Sequence, residues 1–219
     1  MRTFLHVGCG PQRKGHMTPG FEGPDWSEIR LDIDPSVSPD VIGAMTDMSA
    51  VKTGSMDALF SSHNIEHLYP HEVPVALSEF KRVLTDDGFV VITCPDLLSI
   101  AQFIAERGLG ETAYVSPMGP ITPLDMLYGH QGKMGAGNLY MAHRGGFTAQ
   151  TLLDALQRAG FGKMTVMGRK SRFVLWALAT RAQCDDATIN ALAQRHIPGF
   201  MGHVMPPAIR PAPLEPMPT

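Results

Sequence analysis

Short apolar runs alternate with segments of helical spacing along the first 180 residues of the chain. The runs that predict strands cover residues 3–7, 28–32, 38–43, 57–62 and 89–94. The helical segments cover residues 73–84, 97–107 and 149–159. Because strands that alternate with helices form parallel sheets, the pattern predicts an α/β fold.

The crossover between the first two strands departs from this regular alternation. Glycine and proline occur too often in residues 11–26 for a long helix, so a loop is predicted there. At the other end of the sheet, residues 163–167 and 172–180 predict an antiparallel hairpin. We therefore expect one domain over residues 1–180, closed by this hairpin.

Two further segments stand outside the alternation. Residues 181–219 predict a short helix followed by a proline-rich, extended tail. Residues 108–146 are rich in glycine and proline, with one turn of helix predicted near residues 124–128. A long insertion of this kind inside a compact domain usually carries function, and a surface loop with incidental histidines is the simpler alternative. Its polar and aromatic residues include Tyr128, His130, Tyr140, His143 and Arg144.

A glycine turn follows the first predicted strand, and an acidic residue ends the second. Gly8 and Gly10 allow the main chain to approach a ligand closely, and Asp32 is placed to bind ribose hydroxyls. The third glycine of the dinucleotide fingerprint is absent, because Arg13 stands at its position. The chain also lacks the Gly-Lys-Ser/Thr signature of a phosphate loop. These features favour a nucleoside ligand over NAD or a nucleoside triphosphate.

Four segments in this order resemble the landmarks of class I S-adenosylmethionine (SAM)-dependent methyltransferases. They are Leu-His-Val-Gly-Cys-Gly at residues 5–10, Leu-Asp-Ile-Asp-Pro at 31–35, and the segments 57–68 and 82–89. The resemblance implies a Rossmann-like fold with a mostly parallel seven-stranded sheet, SAM as cofactor, and methyl transfer to a small-molecule or carrier-borne acceptor. The chain departs from the family at His6, where an acidic residue is common.

The resemblance also implies which residues contact the cofactor. Asp32 would bind the ribose, whereas Asp34 is better suited to a turn. Asp47 and Met48 stand where the family contacts adenine, although a solvated loop acid is the alternative at Asp47. The complete set implied for the cofactor is Gly8, Cys9, Gly10, Asp32, Ile33, Asp47, Met48 and Ser62.

Candidate catalytic groups follow the central strand and lie in the insertion. Ser62 and His63 come from the carboxyl end of that strand, where ligands of open α/β sheets bind. An oxygen acceptor requires a base, and His63 or His143 can serve near neutral pH, whereas a nitrogen acceptor needs only orientation and desolvation. We expect the insertion to fold over the strand ends, with His143 or Tyr128 facing the transferred methyl group.

The same region also fits a zinc-peptidase motif, His63-x-x-Glu66-His67, in which two histidines bind the metal and the glutamate is the base. That motif belongs in the middle of a helix, whereas here it directly follows a predicted buried strand. In the methyltransferase interpretation, Glu66 and His67 instead support the next helix. The sequence therefore favours no metal ion at this motif.

Composition narrows the expected partners and location. The chain has 219 residues and a net charge of −3, which argues against general nucleic-acid binding. Its three cysteines are far apart, which favours a reduced, cytoplasmic protein, and no apolar run approaches the length of a membrane span. The composition is compatible with a homodimer. The alternative to an enzyme is a non-catalytic module that binds SAM or a protein partner on the same fold.

Overall fold

The computed structural model describes residues 1–169 and 172–201, so the tail predicted at residues 206–219 lies outside the described residues. Seven strands form one sheet: β1 (Arg2–Val7), β2 (Trp26–Asp32), β3 (Val41–Ile42), β4 (Met56–Ser62), β5 (Leu84–Pro95), β8 (Met164–Arg169) and β9 (Val174–Thr180). Their order in space is β3-β2-β1-β4-β5-β9-β8. The short strands β6 (Tyr114–Ser116) and β7 (Gly119–Ile121) form a separate hairpin.

The pairing of the strands confirms the predicted fold class. Strands β1 to β5 pair in parallel, and β9 pairs antiparallel with both β5 and β8. The spatial order of the parallel strands reverses between β1 and β4, and ligands of open α/β sheets bind beside such a reversal. Strand β5 begins earlier than predicted, because Leu84 already pairs with Met56 before a register shift.

Helices cover both faces of the sheet. They are α1 (Pro19–Glu22), α2 (Val73–Val83), α3 (Leu97–Arg107), α4 (Pro123–Tyr128), α5 (Gln131–Gly135), α6 (Ala149–Arg158) and α7 (Asp186–His196). Helices α2 and α6 bury their apolar stripes against one face, within the larger core cluster. None of the described helices is both long enough and apolar enough to cross a membrane.

The crossover between β1 and β2 contains no long helix, as predicted. Its short helix α1 packs against α7. The His196 ring of α7 is tilted by 55° against Phe21 and Phe89, with centroids 4.4 Å and 4.8 Å away. A side chain at Gly20 would clash with this ring, because a Cβ there would lie 2.4 Å from it. His196 is 1 % exposed, and burial lowers its pKa to about 4.

The insertion is more ordered than its composition indicates. The β6–β7 hairpin, α4 and α5 all lie within it, and a 3₁₀ turn follows at Leu139–Met141. Thr122 and Asp125 cap α4 reciprocally. A small apolar cluster of Ile100, Ile121 and Met126 attaches the insertion to α3. Tertiary contacts to α3 therefore give this glycine-rich segment a defined path.

Candidate functional site

The turn after β1 forms the first wall of a cleft at the carboxyl ends of the strands. Gly8 and Gly10 have positive φ angles of 63° and 50°, a conformation that disfavours side chains. A Cβ on Gly8 would lie 1.9 Å from the Asn64 amide nitrogen, whereas a Cβ on Gly10 would meet open space. The close packing of Asn64 against the turn therefore requires glycine at position 8 in particular.

Asp32 ends β2 on the opposite wall of this cleft. One of its carboxylate oxygens accepts the Gly10 N–H at 2.7 Å, and the other accepts the Asp34 N–H at 2.9 Å. Each oxygen keeps a further lone pair that can accept a hydroxyl hydrogen. The Asp34 carboxylate instead accepts the Ser36 N–H at 2.9 Å, which lowers its pKa. Both acids line the cleft, but the Asp34 carboxylate also caps the following turn, whereas the Asp32 carboxylate binds the glycine turn through the Gly10 N–H.

A buried arginine, which the sequence analysis did not single out, holds the two walls together. The guanidinium of Arg30 donates to main-chain carbonyls of the glycine turn, at Gly10 and Gln12. It also donates to the carbonyls of Val37 and Ser38 in the loop after β2. Arg30 thus fixes the spacing of the two loops without touching the cleft itself.

The cleft has a volume of about 320 Å³. Ile33 is exposed on its wall, and Met45 and Asn64 complete the lining near the glycine turn. The Asn64 side-chain nitrogen is buried and has no hydrogen-bond partner among the described residues. Near the glycine turn the cleft therefore presents the Asp32 carboxylate, apolar side chains and the Asn64 amide to a ligand, and the insertion adds Asn138, Tyr140 and Arg144 to the lining.

Four of the predicted cofactor contacts, Cys9, Asp47, Met48 and Ser62, lie outside the lining of this cleft. The Cys9 side chain is buried, and burial raises its pKa to about 11. Met48 is buried in the core, and Asp47 accepts the Ser49 N–H beside a separate shallow pocket. Met45, which the sequence analysis missed, faces the cleft in their place. No sequence signal distinguished Met45 from Met48, since both follow β3 in an irregular loop.

A second cavity of about 900 Å³ lies beside the cleft, between the ends of β4 and β5 and the insertion. Ser62 lines this cavity and not the cleft, and its hydroxyl contacts the Thr93 hydroxyl at 2.8 Å. His63, His67 and Met141 line both spaces. These three side chains therefore form a shared wall between the cleft and the cavity.

His63 stands on this shared wall in an unusual backbone conformation. Its φ angle is +49°, and its N–H donates to the Thr93 carbonyl at 2.9 Å. The imidazole is 54 % exposed, and its Nδ1 lies 3.4 Å from a carboxylate oxygen of Glu66. The constrained backbone thus presents a solvent-accessible imidazole to both the cleft and the cavity.

Glu66, His67 and His143 meet deeper in the cavity. Burial raises the pKa of the Glu66 carboxyl, but its contacts with His63 and His67 outweigh burial and hold that pKa below its usual range. The rings of His67 and His143 lie 5.0 Å apart at 65°. Burial lowers the pKa of His143, so this imidazole is neutral at neutral pH.

The insertion folds over the strand ends through main-chain hydrogen bonds. The N–H groups of Arg144 and Gly145 donate to the Glu66 carbonyl at 2.9 and 3.1 Å. His143 lies in the second cavity, whereas Tyr128 is 58 % exposed and lines neither space. Of the two residues expected to face the methyl group, the structure brings only His143 to this end of the sheet.

Comparison with known proteins agrees with this architecture. Residues 5–92 match the family described as the methyltransferase domain. A SAM-dependent methyltransferase from Archaeoglobus fulgidus is 15 % identical, with a TM-score of 0.52 over 82 % of this chain and 86 % of that chain. The 1,6-didemethyltoxoflavin-N1-methyltransferase of Burkholderia thailandensis, solved with S-adenosylhomocysteine, is 14 % identical, with a TM-score of 0.51 over 83 % and 71 %.

The CMeT domain of the citrinin polyketide synthase is also similar, at 14 % identity and a TM-score of 0.55. The match covers 84 % of this chain, which spans about half (47 %) of that domain's length. No curated protein sequence matches the chain. The sheet order and the strand-end cleft define a Rossmann-like methyltransferase fold. The family match over residues 5–92 agrees with this fold and supports SAM as the cofactor.

Proposed function

We propose that the chain binds SAM in the cleft and transfers its methyl group to a small-molecule or carrier-borne acceptor in the second cavity. The observation that carries this proposal is the shared wall of His63, His67 and Met141 between the two spaces. A transfer reaction needs both reactants held side by side, and this arrangement supplies two adjoining spaces at one sheet edge. The comparisons support methyl transfer in general, and the acceptor class is our inference.

The residues of the cleft fit the cofactor. Asp32 keeps lone pairs free for the ribose hydroxyls, and Ile33 and Met45 offer apolar surface to the adenine. The unpaired amide of Asn64 supplies a donor that a carboxylate or hydroxyl of the ligand would satisfy. Bound SAM supplies an activated methyl group on a sulfonium. The cleft volume of about 320 Å³ lies in the range of small-ligand pockets.

His63 is the candidate base for an oxygen acceptor. Its imidazole reaches both spaces, is accessible to solvent, and has its Nδ1 3.4 Å from a carboxylate oxygen of Glu66. A nitrogen acceptor would need orientation and exclusion of water more than a base, and the enclosing insertion provides both. His143, which lines the second cavity and not the cleft, then contributes to the acceptor site. A cytoplasmic location and a homodimer stay predictions.

Isothermal titration calorimetry tests the cofactor half of this proposal. We expect S-adenosylhomocysteine to bind one per chain and NAD to give no heat. Transfer of a radiolabelled methyl group from SAM to candidate acceptors then tests the catalytic half. Binding without transfer to any small-molecule or carrier-borne acceptor would favour the non-catalytic module, and binding of NAD alone would overturn the assignment of the cleft.

A further inference from the structure

The Glu66 carboxylate is an unusual group for the interior of the protein. Its side chain is 1 % exposed, and neither oxygen accepts a hydrogen bond from any of the described residues. His63 lies 3.4 Å from one oxygen, which leaves the other without a partner. An ionised carboxylate buried in this way is costly unless a cation compensates it.

The two neighbouring histidines are oriented as metal ligands usually are. Nδ1 of His67 lies 3.0 Å from the Ala142 carbonyl, and Nδ1 of His143 lies 2.9 Å from the Met126 carbonyl. A carbonyl only accepts, so each Nδ1 carries the hydrogen, and the tautomer fixed in this way has its lone pair on Nε2. Main-chain carbonyls that fix the tautomer in this way are typical partners of metal-binding histidines.

The three side chains are close enough to share one ion. Their ligand atoms all lie within 4.8 Å of one another. Tetrahedral zinc sites place such atoms about 3.4 Å apart, so a closure of little more than 1 Å completes the site. The backbone supports that geometry, because Arg144 and Gly145 bind the carbonyl of Glu66 itself and hold His143 beside it.

We propose that Glu66, His67 and His143 bind one divalent transition-metal ion, with the remaining coordination positions open to the second cavity. Two histidines and one carboxylate with an open position are a ligand set of zinc and of other first-row metals. This set differs from the sequence motif: His143 replaces His63 as a ligand, and Glu66 binds the ion instead of acting as a base. It also replaces the expectation that no metal is present.

The open positions indicate what the second cavity binds. A divalent ion there would coordinate an acceptor through a carboxylate or hydroxyl oxygen, and His63 on the shared wall would stay free to act as the base. This role in acceptor binding rests on the proposed function. The metal site itself does not, since its three ligands are all residues of this chain.

Metal titration tests the site directly. Protein purified without a histidine tag and stripped with chelator is titrated with Zn²⁺ against a chromophoric chelator, and with Co²⁺ followed by visible absorption. We expect one ion per chain. Glu66→Gln, His67→Gln and His143→Gln should each weaken Zn²⁺ binding about 100-fold or more, because losing an outer partner alone already costs 10- to 100-fold.

Two histidine variants serve as controls. His63→Gln removes the ligand that the zinc-peptidase motif requires, and His71→Gln removes an exposed histidine that lines neither space. Both should keep the ion. Loss of the ion in His63→Gln with retention in His143→Gln would overturn the proposed ligand set. A variant that carries Glu66→Gln, His67→Gln and His143→Gln together gives the background level. Because zinc ranks near the top of divalent affinities, failure of the unmodified chain to bind Zn²⁺ above that level would overturn the site.

Binding of S-adenosylhomocysteine, measured on the same samples, keeps the two proposals distinguishable. A variant that loses the ion and still binds this ligand is folded, so its loss is specific to the metal site. Metal binding without binding of this ligand would count against the proposed function and leave the metal site standing. Binding of S-adenosylhomocysteine without stoichiometric metal would overturn the metal site and leave the proposed function supported.

Discussion

The cleft and the second cavity are built in different ways. Most of the cleft is formed by local turns at strand ends, where Gly8, Gly10 and Asp32 owe their positions to backbone conformation and short hydrogen bonds. The insertion adds Asn138, Tyr140, Met141 and Arg144 to its lining. The cavity is assembled from distant segments, and its insertion is attached through main-chain bonds to Glu66 and a small apolar cluster. Sites that are assembled from loops on a scaffold can vary while the fold stays the same.

Among the residues of the cleft, the largest loss of stability on substitution is expected at Gly8. Gly8→Ala adds a methyl group against Asn64 at a positive φ, so we expect a loss of about 3 kcal/mol or more in the free energy of unfolding. Gly10→Ala is the matched control, because the same turn has open space there and only the backbone strain of about 1 kcal/mol applies. Urea unfolding measures both, and equal losses would contradict the importance of the Asn64 contact.

The next effect concerns the two acids of the cleft. Asp32→Ala should weaken binding of S-adenosylhomocysteine by about 2 kcal/mol or more, roughly 30-fold, because hydrogen bonds to a charged group are lost. Asp34→Ala should change affinity less than about 3-fold, since that carboxylate caps a turn. Calorimetry on both variants measures the two affinities. A large loss in Asp34→Ala with a small loss in Asp32→Ala would show that the ribose partner is Asp34.

Acid should lower the free energy of unfolding through His196, which does not line the second cavity. Its pKa is lowered to about 4 in the folded state, against 6.5 when unfolded, so the unfolded state takes up the proton first. The stability present above pH 6.5 is therefore lost as the pH falls toward 4. Between pH 7 and pH 5 the loss should be about 2 kcal/mol. Urea unfolding of His196→Leu should lack this component, and an unchanged pH slope would reject the assignment.

The smallest effect on the affinity for S-adenosylhomocysteine is expected at His143, in the second cavity. His143→Ala should change binding of S-adenosylhomocysteine less than about 2-fold, because the residue does not line the cleft. Methyl transfer to an oxygen acceptor should nevertheless fall about 100-fold, since the loss concerns the acceptor and the transition state. Calorimetry and kcat/KM together test this separation, and a large loss of ligand affinity would show that the two spaces are one site.

Sequence patterns predicted the locally built parts of the molecule well. The strands, the reduced crossover, and helices α2, α3, α6 and α7 follow from apolar spacing and from punctuation by glycine and proline. The glycine turn and Asp32 came from a motif whose residues are close in sequence. The fold and the cofactor were therefore within reach of the sequence.

The missed residues depend on tertiary contacts that no spacing reveals. Met48 is held in the core because its N–H donates to Glu79 and its carbonyl accepts from Arg82, which turns Met45 to the cleft instead. His143 joins Glu66 only because the insertion returns across the strand ends. The motif His63-x-x-Glu66-His67 offered His63 and not His143 as the second histidine, because a linear motif contains only residues that are close in the chain.

The shared wall has a thermodynamic consequence. His63, His67 and Met141 contact whatever occupies either space, so filling one space restricts side chains that the other ligand would also have to restrict. Linkage then requires that each ligand change the affinity of the other by the same factor. Acceptor screens should accordingly be run on protein saturated with S-adenosylhomocysteine, where weak acceptors bind to a wall that is already ordered.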